Sequence, residues 1–209
     1  MRQLEEAWKQ NMAQQFFPSC INILDESMME WFNKWSPGFM CVGRKPHPFG
    51  NEWHTICCAL TSIIRRAHIV EDKDRRTELR KKRLEELGKT VGLMLQMCDP
   101  IFSTGNCVVI ESGFCVSKGI TDLLEVGVYA AALTKKRKYW PKVVPGYTIN
   151  KYVAGKDVTH VDMLEAITEE GPKGKAFKIF WFKDPEYVMK IMATWMTLEE
   201  LDGENTRQE

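Results

Sequence analysis

Twice in this chain a carboxylate directly follows a short apolar run. Ile21, Ile23 and Leu24 lead to Asp25 and Glu26, and Cys107, Val108, Val109 and Ile110 lead to Glu111. A carboxylate at the end of a buried strand is held rigidly, with one side open to solvent. Hydrolases and nucleotidyl transferases hold divalent cations this way, because Mg²⁺ prefers hard oxygen ligands and keeps several of its waters. A solvated turn acid produces the same spacing, so the pattern alone leaves both readings open.

Positive charge carries a second chemistry. Lys135, Lys136, Arg137 and Lys138 run directly into Tyr139 and Trp140, and Arg44 and Lys45 sit in a Gly43–Pro46 turn. Basic residues beside aromatics suit contacts to a nucleic-acid backbone and base stacking, and a solvated loop accounts for them equally well. The formal net charge is +1, so only local clusters bear on a polyanionic partner. Two other constellations fall away. His54, Cys57 and Cys58 suggest a metal or thiol site, but on a strand residues 54 and 58 share a face while 57 points away. Gly88-Lys89-Thr90 echoes the end of a phosphate-binding loop, yet the position needing the earlier glycine is Arg83, within a helical pattern.

The elements that must position these groups follow from periodicity. Leu4, Trp8, Met12 and Phe16 predict a helix over residues 1–17 that stops at Pro18. A strand over about 20–25 delivers Asp25. Residues 27–40 read as a helical or irregular excursion whose Met28, Met29, Trp31, Phe32 and Trp35 suit a core better than a binding surface. Strands over about 53–61 and 63–70 come next. Leu84, Leu87, Val91, Met94 and Cys98 form one apolar stripe in a helix within residues 71–98, with Glu85 and Lys89 as an i,i+4 pair. After Asp99-Pro100 come a strand at 107–110, a helix over 116–127 with Gly127 at its C′ position, and a strand over 128–134. Residues 142–160 read as irregular. Strands are expected at 161–168 and 176–182, and 187–195 suits either a strand or a short helix.

Composition sets the outer limits. At 209 residues, 44% hydrophobic and 27% charged, the chain has the makeup of a globular protein of one domain or a little more. There is no run of 18 apolar residues, so no membrane span is expected, and the acid-bearing N-terminus lacks the apolar core of a secretory signal. Seven irregularly spaced cysteines imply a reducing intracellular setting rather than a disulfide framework.

The residues around the first acid carry a resemblance. LDESMMEWFNKW…GRKPHPFGNEW resembles the first catalytic block of piggyBac-type DDE transposases. Asp25, Glu26 and Met28 match its Asp-Glu-x-Met signature, and Lys45, Pro46 and Gly50 match its Lys-Pro-x-x-x-Gly turn. Trp53 to Leu60 stands where the following strand belongs. VVIESGFCVSKGITDL, AALTKKRKYWPK and KDPEYVMKIMATWMTLEEL extend the resemblance over roughly residues 21–200.

That resemblance implies an α/β fold: an RNase H-like mixed sheet flanked by helices, incomplete at its C-terminus. The expected organisation is an N-terminal helix and linker over 1–19, the catalytic-like domain over 20–200 and a polar tail over 201–209. Asp25 on the central first strand and Glu111 on the neighbouring fourth would meet at one sheet edge, as catalytic residues and ligands of Mg²⁺. Arg44, Lys45, Lys135, Lys136, Arg137 and Lys138 would contact DNA. A homodimer and a nuclear location follow from the same relatives, with no membrane partner. Two departures bear on activity. The second acid is Glu111 where the family has Asp, and one more methylene displaces its carboxylate; a shift of about 1 Å can cost roughly a hundredfold in rate. The third Asp of the family lies beyond the segment matching 176–196, and Asp184 and Asp202 stand in no matching motif. The expectation is a truncated or degenerate transposase-derived domain that binds DNA without transposing it. The alternatives are a scaffold for protein contacts and an unrelated α/β enzyme using His54 or a cysteine.

Overall fold

A computed structural model describes residues 2–36, 38–70, 85–135, 146–167 and 176–195. Along the chain these form α1 (Arg2–Gln15), β1 (Ile21–Glu30), β2 (Phe39–Cys41), β3 (Phe49–Cys58), β4 (Ile64–Ile69), α2 (Lys89–Cys98), β5 (Cys107–Ile110), α3 (Ser117–Glu125), β6 (Tyr129–Leu133), α4 (Gly146–Ala154), β7 (Val161–Ile167), β8 (Ala176–Lys183) and β9 (Val188–Ala193). The described strands make one sheet in the order β2-β3-β1-β5-β6-β9-β8-β7, with β4 also paired to β3.

β1 is the pivot of that sheet. It runs antiparallel to β3, with Leu24 opposite Ile56, and parallel to β5, with Leu24 beside Ile110. β5 is in turn parallel to β6, with Ile110 beside Ala132. An antiparallel β4-β3-β1 meander followed by parallel β5 and β6 is the RNase H-like arrangement expected from the sequence. Glu111 follows the fifth strand rather than the fourth, because the three-residue β2 adds one to the count.

Alternation along β1 decides which side chains reach the core. Asn22 and Leu24 are buried while Ile21, Ile23 and Asp25 are exposed. α2 and α3 cover the buried face, and Leu24, Ile56, Val108, Ile110, Met94, Met97, Ile120 and Leu123 pack there with essentially no exposure. The opposite face of β1, β5 and β6 leaves Ile21, Ile23, Val109 and Tyr129 between 36% and 42% exposed.

Several expectations need correction. Residues 27–30 are strand, because β3 continues to pair with β1 as far as Glu30 opposite Gly50. Gly50 is required at that crossing: a Cβ there would stand 2.0 Å from the Met29 carbonyl oxygen. The aromatic residues beyond it are not core, since Trp31, Phe32 and Trp35 are 48%, 77% and 82% exposed. In the long predicted helix, residues 71–84 lie outside those described, and Gly88 at φ 79° breaks the remainder, so Glu85 and Lys89 do not share one helix. Val91, Met94 and Cys98 are nevertheless buried as the stripe requires. Part of the supposedly irregular 142–160 segment is α4, which buries Ile149 and Val153 at i,i+4 spacing. The ambiguous 187–195 segment resolves as β9 because both β6 and β8 offer it backbone partners. Among the described residues no helix is long and apolar enough to cross a membrane.

Candidate functional site

β5 and β6 end along one edge, whereas β1 runs past it to Glu30. Leu24, Ile110 and Ala132 lie in register, and the Glu111 N–H donates to the Leu24 carbonyl oxygen at 3.0 Å. Asp25 and Glu111 are therefore the next residues of adjacent strands, level with the carboxyl end of β5, the side on which open α/β sheets form their binding crevice. After Glu111 the chain turns through a short 3₁₀ segment, Ser112–Phe114. Lys135, exposed, lies two residues beyond the end of β6 on the same edge.

Strand parity then separates the two neighbouring acids of β1. Asp25 lies on the exposed face, and its Oδ1 accepts the Glu26 N–H at 2.7 Å. Glu26 lies on the helix-covered face opposite His54, and Met28 stands opposite Glu52. One ligand atom each from Glu26, Glu52 and His54 lies within 4.8 Å of the others, the only such trio among the described residues. His54 Nε2 is 3.3 Å from Glu52 Oε1, and the Phe114 ring meets the imidazole edge-on at 5.2 Å between centroids. Arg44 and Lys45, from the turn between β2 and β3, reach over this cluster. The Arg44 guanidinium pairs with the Glu26 carboxylate, and Lys45 Nζ donates to the Glu26 carbonyl oxygen at 2.7 Å.

The charges leave a specific imbalance. Burial, with help from the negative charges of Glu26 and Asp25, pushes the Glu111 carboxyl above the usual carboxylate range, and Lys45 and Arg44 only partly offset this. The hydrogen bond from His54 holds Glu52 below its ordinary value. Glu26 keeps the Arg44 guanidinium firmly protonated. Glu111 Oε2 is buried without a hydrogen-bond partner. A Cβ added at Gly113 would stand 3.3 Å from both Glu111 Oε2 and Glu26 Oε1, so the two oxygens border one small space. Acceptors facing acceptors, one of them orphaned, fit a cation, and hard oxygen donors fit a divalent one.

The sequence-predicted residues thus divide. Asp25 and Glu111 come to adjacent register positions, and Arg44 and Lys45 come to the same acidic edge. Lys135 begins its basic run at that edge, whereas Lys136, Arg137 and Lys138 lie outside the described residues. Sequence reasoning passed over Glu52 and paired His54 with cysteines instead. The signal was present as Glu52 and His54 at i,i+2 on one strand, but their partner Glu26 becomes visible only once the β1–β3 register is known.

A mixed sheet of this order, with acids next to one another on adjacent parallel strands, is a transposase catalytic fold. The family model described as Transposase IS4 matches residues 1–200, and the chain belongs to that family. The fold is similar to that in a cryo-EM structure of a piggyBac transposase synaptic complex with hairpin DNA. That likeness has a TM-score of 0.70 at 13% identity and covers 95% of this chain and 38% of that one. This chain therefore spans well under half of that transposase. The catalytic domain of human endonuclease V is more distant, with a TM-score of 0.38 at 10% identity over 90% of this chain and 72% of that one. The NurA nuclease from Sulfolobus solfataricus also has a TM-score of 0.38, at 8% identity over 95% and 78%. No curated protein matches the sequence. The transposase resemblance read from the motifs is borne out at the level of family and fold.

Proposed function

We propose that this transposase-family domain binds duplex DNA along the acidic edge of β1, β5 and β6, in the nucleus, and does not by itself cut it. The observation that carries the reading is the register of Asp25 with Glu111 where Leu24 and Ile110 end their pairing, with Arg44, Lys45 and Lys135 at the same edge. Arg44, Lys45 and the run Lys135, Lys136, Arg137 and Lys138 would grip phosphates, which orient a duplex without reading its sequence. Asp25 and Glu111 would hold Mg²⁺, which when bound polarises phosphate oxygens and activates the attacking oxygen. Their geometry argues against cleavage. Asp25 and Glu111 belong to no three-ligand set among the described residues, and a glutamate in the second position reaches one methylene too far.

The test is duplex affinity across a salt series for the native chain and for the variant with Lys135, Lys136, Arg137 and Lys138 all changed to Ala. Each lost phosphate contact lowers the slope of log affinity against log salt by about 0.9, so the variant should lose about 3 to 4. An unchanged slope would leave the run as solvated surface. A second reading, a scaffold for protein contacts, is favoured by one observation: the exposed apolar row of Ile21, Ile23, Val109 and Tyr129 on the uncovered sheet face. A homodimer would cover that face, and salt-insensitive behaviour on DNA with concentration-dependent dimerisation would support this alternative.

A further inference from the structure

A second set of side chains converges beside the pair that the motifs single out. Glu26, Glu52 and His54 come from two neighbouring strands whose pairing fixes them, Glu26 opposite His54 and Met28 opposite Glu52, and their ligand atoms lie within 4.8 Å of one another. Side chains on one face of an antiparallel pair need no loop to hold them together. His54 is only 7% exposed and brings Nε2 to 3.3 Å from Glu52. A second observation is independent of that proximity: Glu111 Oε2, buried and without a hydrogen-bond partner, borders the same space as Glu26 Oε1. The cation paired with the Glu26 carboxylate is Arg44, whose side chain is 58% exposed.

We propose that Glu26, Glu52 and His54 form a site for a borderline divalent transition-metal ion, Zn²⁺ foremost, on the strand face opposite Asp25. The imidazole sets the class of ion: carboxylates alone suit Mg²⁺, whereas nitrogen with carboxylate oxygens suits Zn²⁺. Three protein ligands leave a fourth position for water, as in open zinc sites. Arg44 holds the Glu26 carboxylate in the absence of the ion and turns out to solvent when the ion enters. The proposal does not depend on DNA binding, and either can fail without the other.

The experiment is a calorimetric titration of the full chain with Zn²⁺, repeated with Co²⁺ and followed by absorption. One ion per chain is expected at this site. Glu52→Gln and His54→Gln should each weaken binding at least about tenfold, because even outer-shell partners of a metal are worth about 10–100-fold. Arg44→Gln should tighten it, because the cation competing for the Glu26 carboxylate is then gone. Circular dichroism checks that each variant is folded. If His54→Gln fails to fold, the exposed Arg44 still gives a decisive arm, since a purely structural role would not strengthen metal binding when its side chain is lost. The proposal is overturned by no binding at millimolar Zn²⁺, by affinity unchanged in both ligand variants, or by weaker binding in Arg44→Gln. It is equally overturned if thiolate bands in the Co²⁺ spectrum place the ion on cysteines.

Discussion

Truncating two neighbouring residues of β1 should have very different consequences, and the contrast tests the strand parity on which the site is built. Leu24 is fully buried in the main core cluster, whereas Ile23 is 36% exposed on the uncovered face. Leu24→Ala removes three buried carbons, about 2.4 kcal/mol at about 0.8 kcal/mol each. The cavity left under α2 and α3 adds to this and brings the expected loss to about 3–5 kcal/mol. Ile23→Ala gives up surface that is already partly wet, leaves no enclosed cavity, and should cost about 1 kcal/mol or less. For a chain of this size about 2–4 °C of melting temperature goes with each kcal/mol, so Leu24→Ala should lower Tm by at least about 6 °C. Urea unfolding followed by circular dichroism measures both, and an unchanged m value would confirm that the two variants are compared on equal terms. Equal losses, or a larger loss for Ile23→Ala, would refute the parity. Asp25 would then face the core and Glu26 the solvent, and the convergence of Glu26 with Glu52 and His54 would be lost.

Two further outcomes follow from the same geometry. The Glu111 carboxyl is raised in the folded protein, so folding costs free energy above that raised value, and the cost vanishes below the unfolded carboxylate's ordinary value. Glu111→Gln should therefore stabilise the protein at neutral pH, with the gain disappearing in acid; urea unfolding at both pH values checks it, and a pH-independent effect would contradict the cause assigned. Gly50→Ala would place a Cβ 2.0 Å from the Met29 carbonyl at φ 147°, so it should cost about 3 kcal/mol or more, read as a fall in melting temperature.

Much of the fold was legible because its strands obey local rules. Val108 and Ile110 announce a short buried strand, and the small Ala130 to Ala132 suit a strand pressed close under a helix. The transposase motifs put Asp25 and Glu111 on neighbouring strands, as their register has them. Long-range pairing was not legible. Residues 27–30 stay in β1 only because β3 supplies a partner from twenty or more positions away, which no local pattern encodes. Nor does periodicity show that Trp31, Phe32 and Trp35 fall beyond the paired strand, where they stay largely exposed. The Glu26, Glu52 and His54 cluster was hidden for the same reason: its members are chemically ordinary in sequence and meet only across a register.

The most direct test of the central claim is one incubation of the native chain with a labelled transposon-end duplex in Mg²⁺ or Mn²⁺, resolved for both binding and nicking. The expected result is a salt-sensitive complex with intact strands. Metal-dependent cleavage that disappears in Asp25→Asn would contradict the account and show that Asp25 and Glu111 already form a working active site.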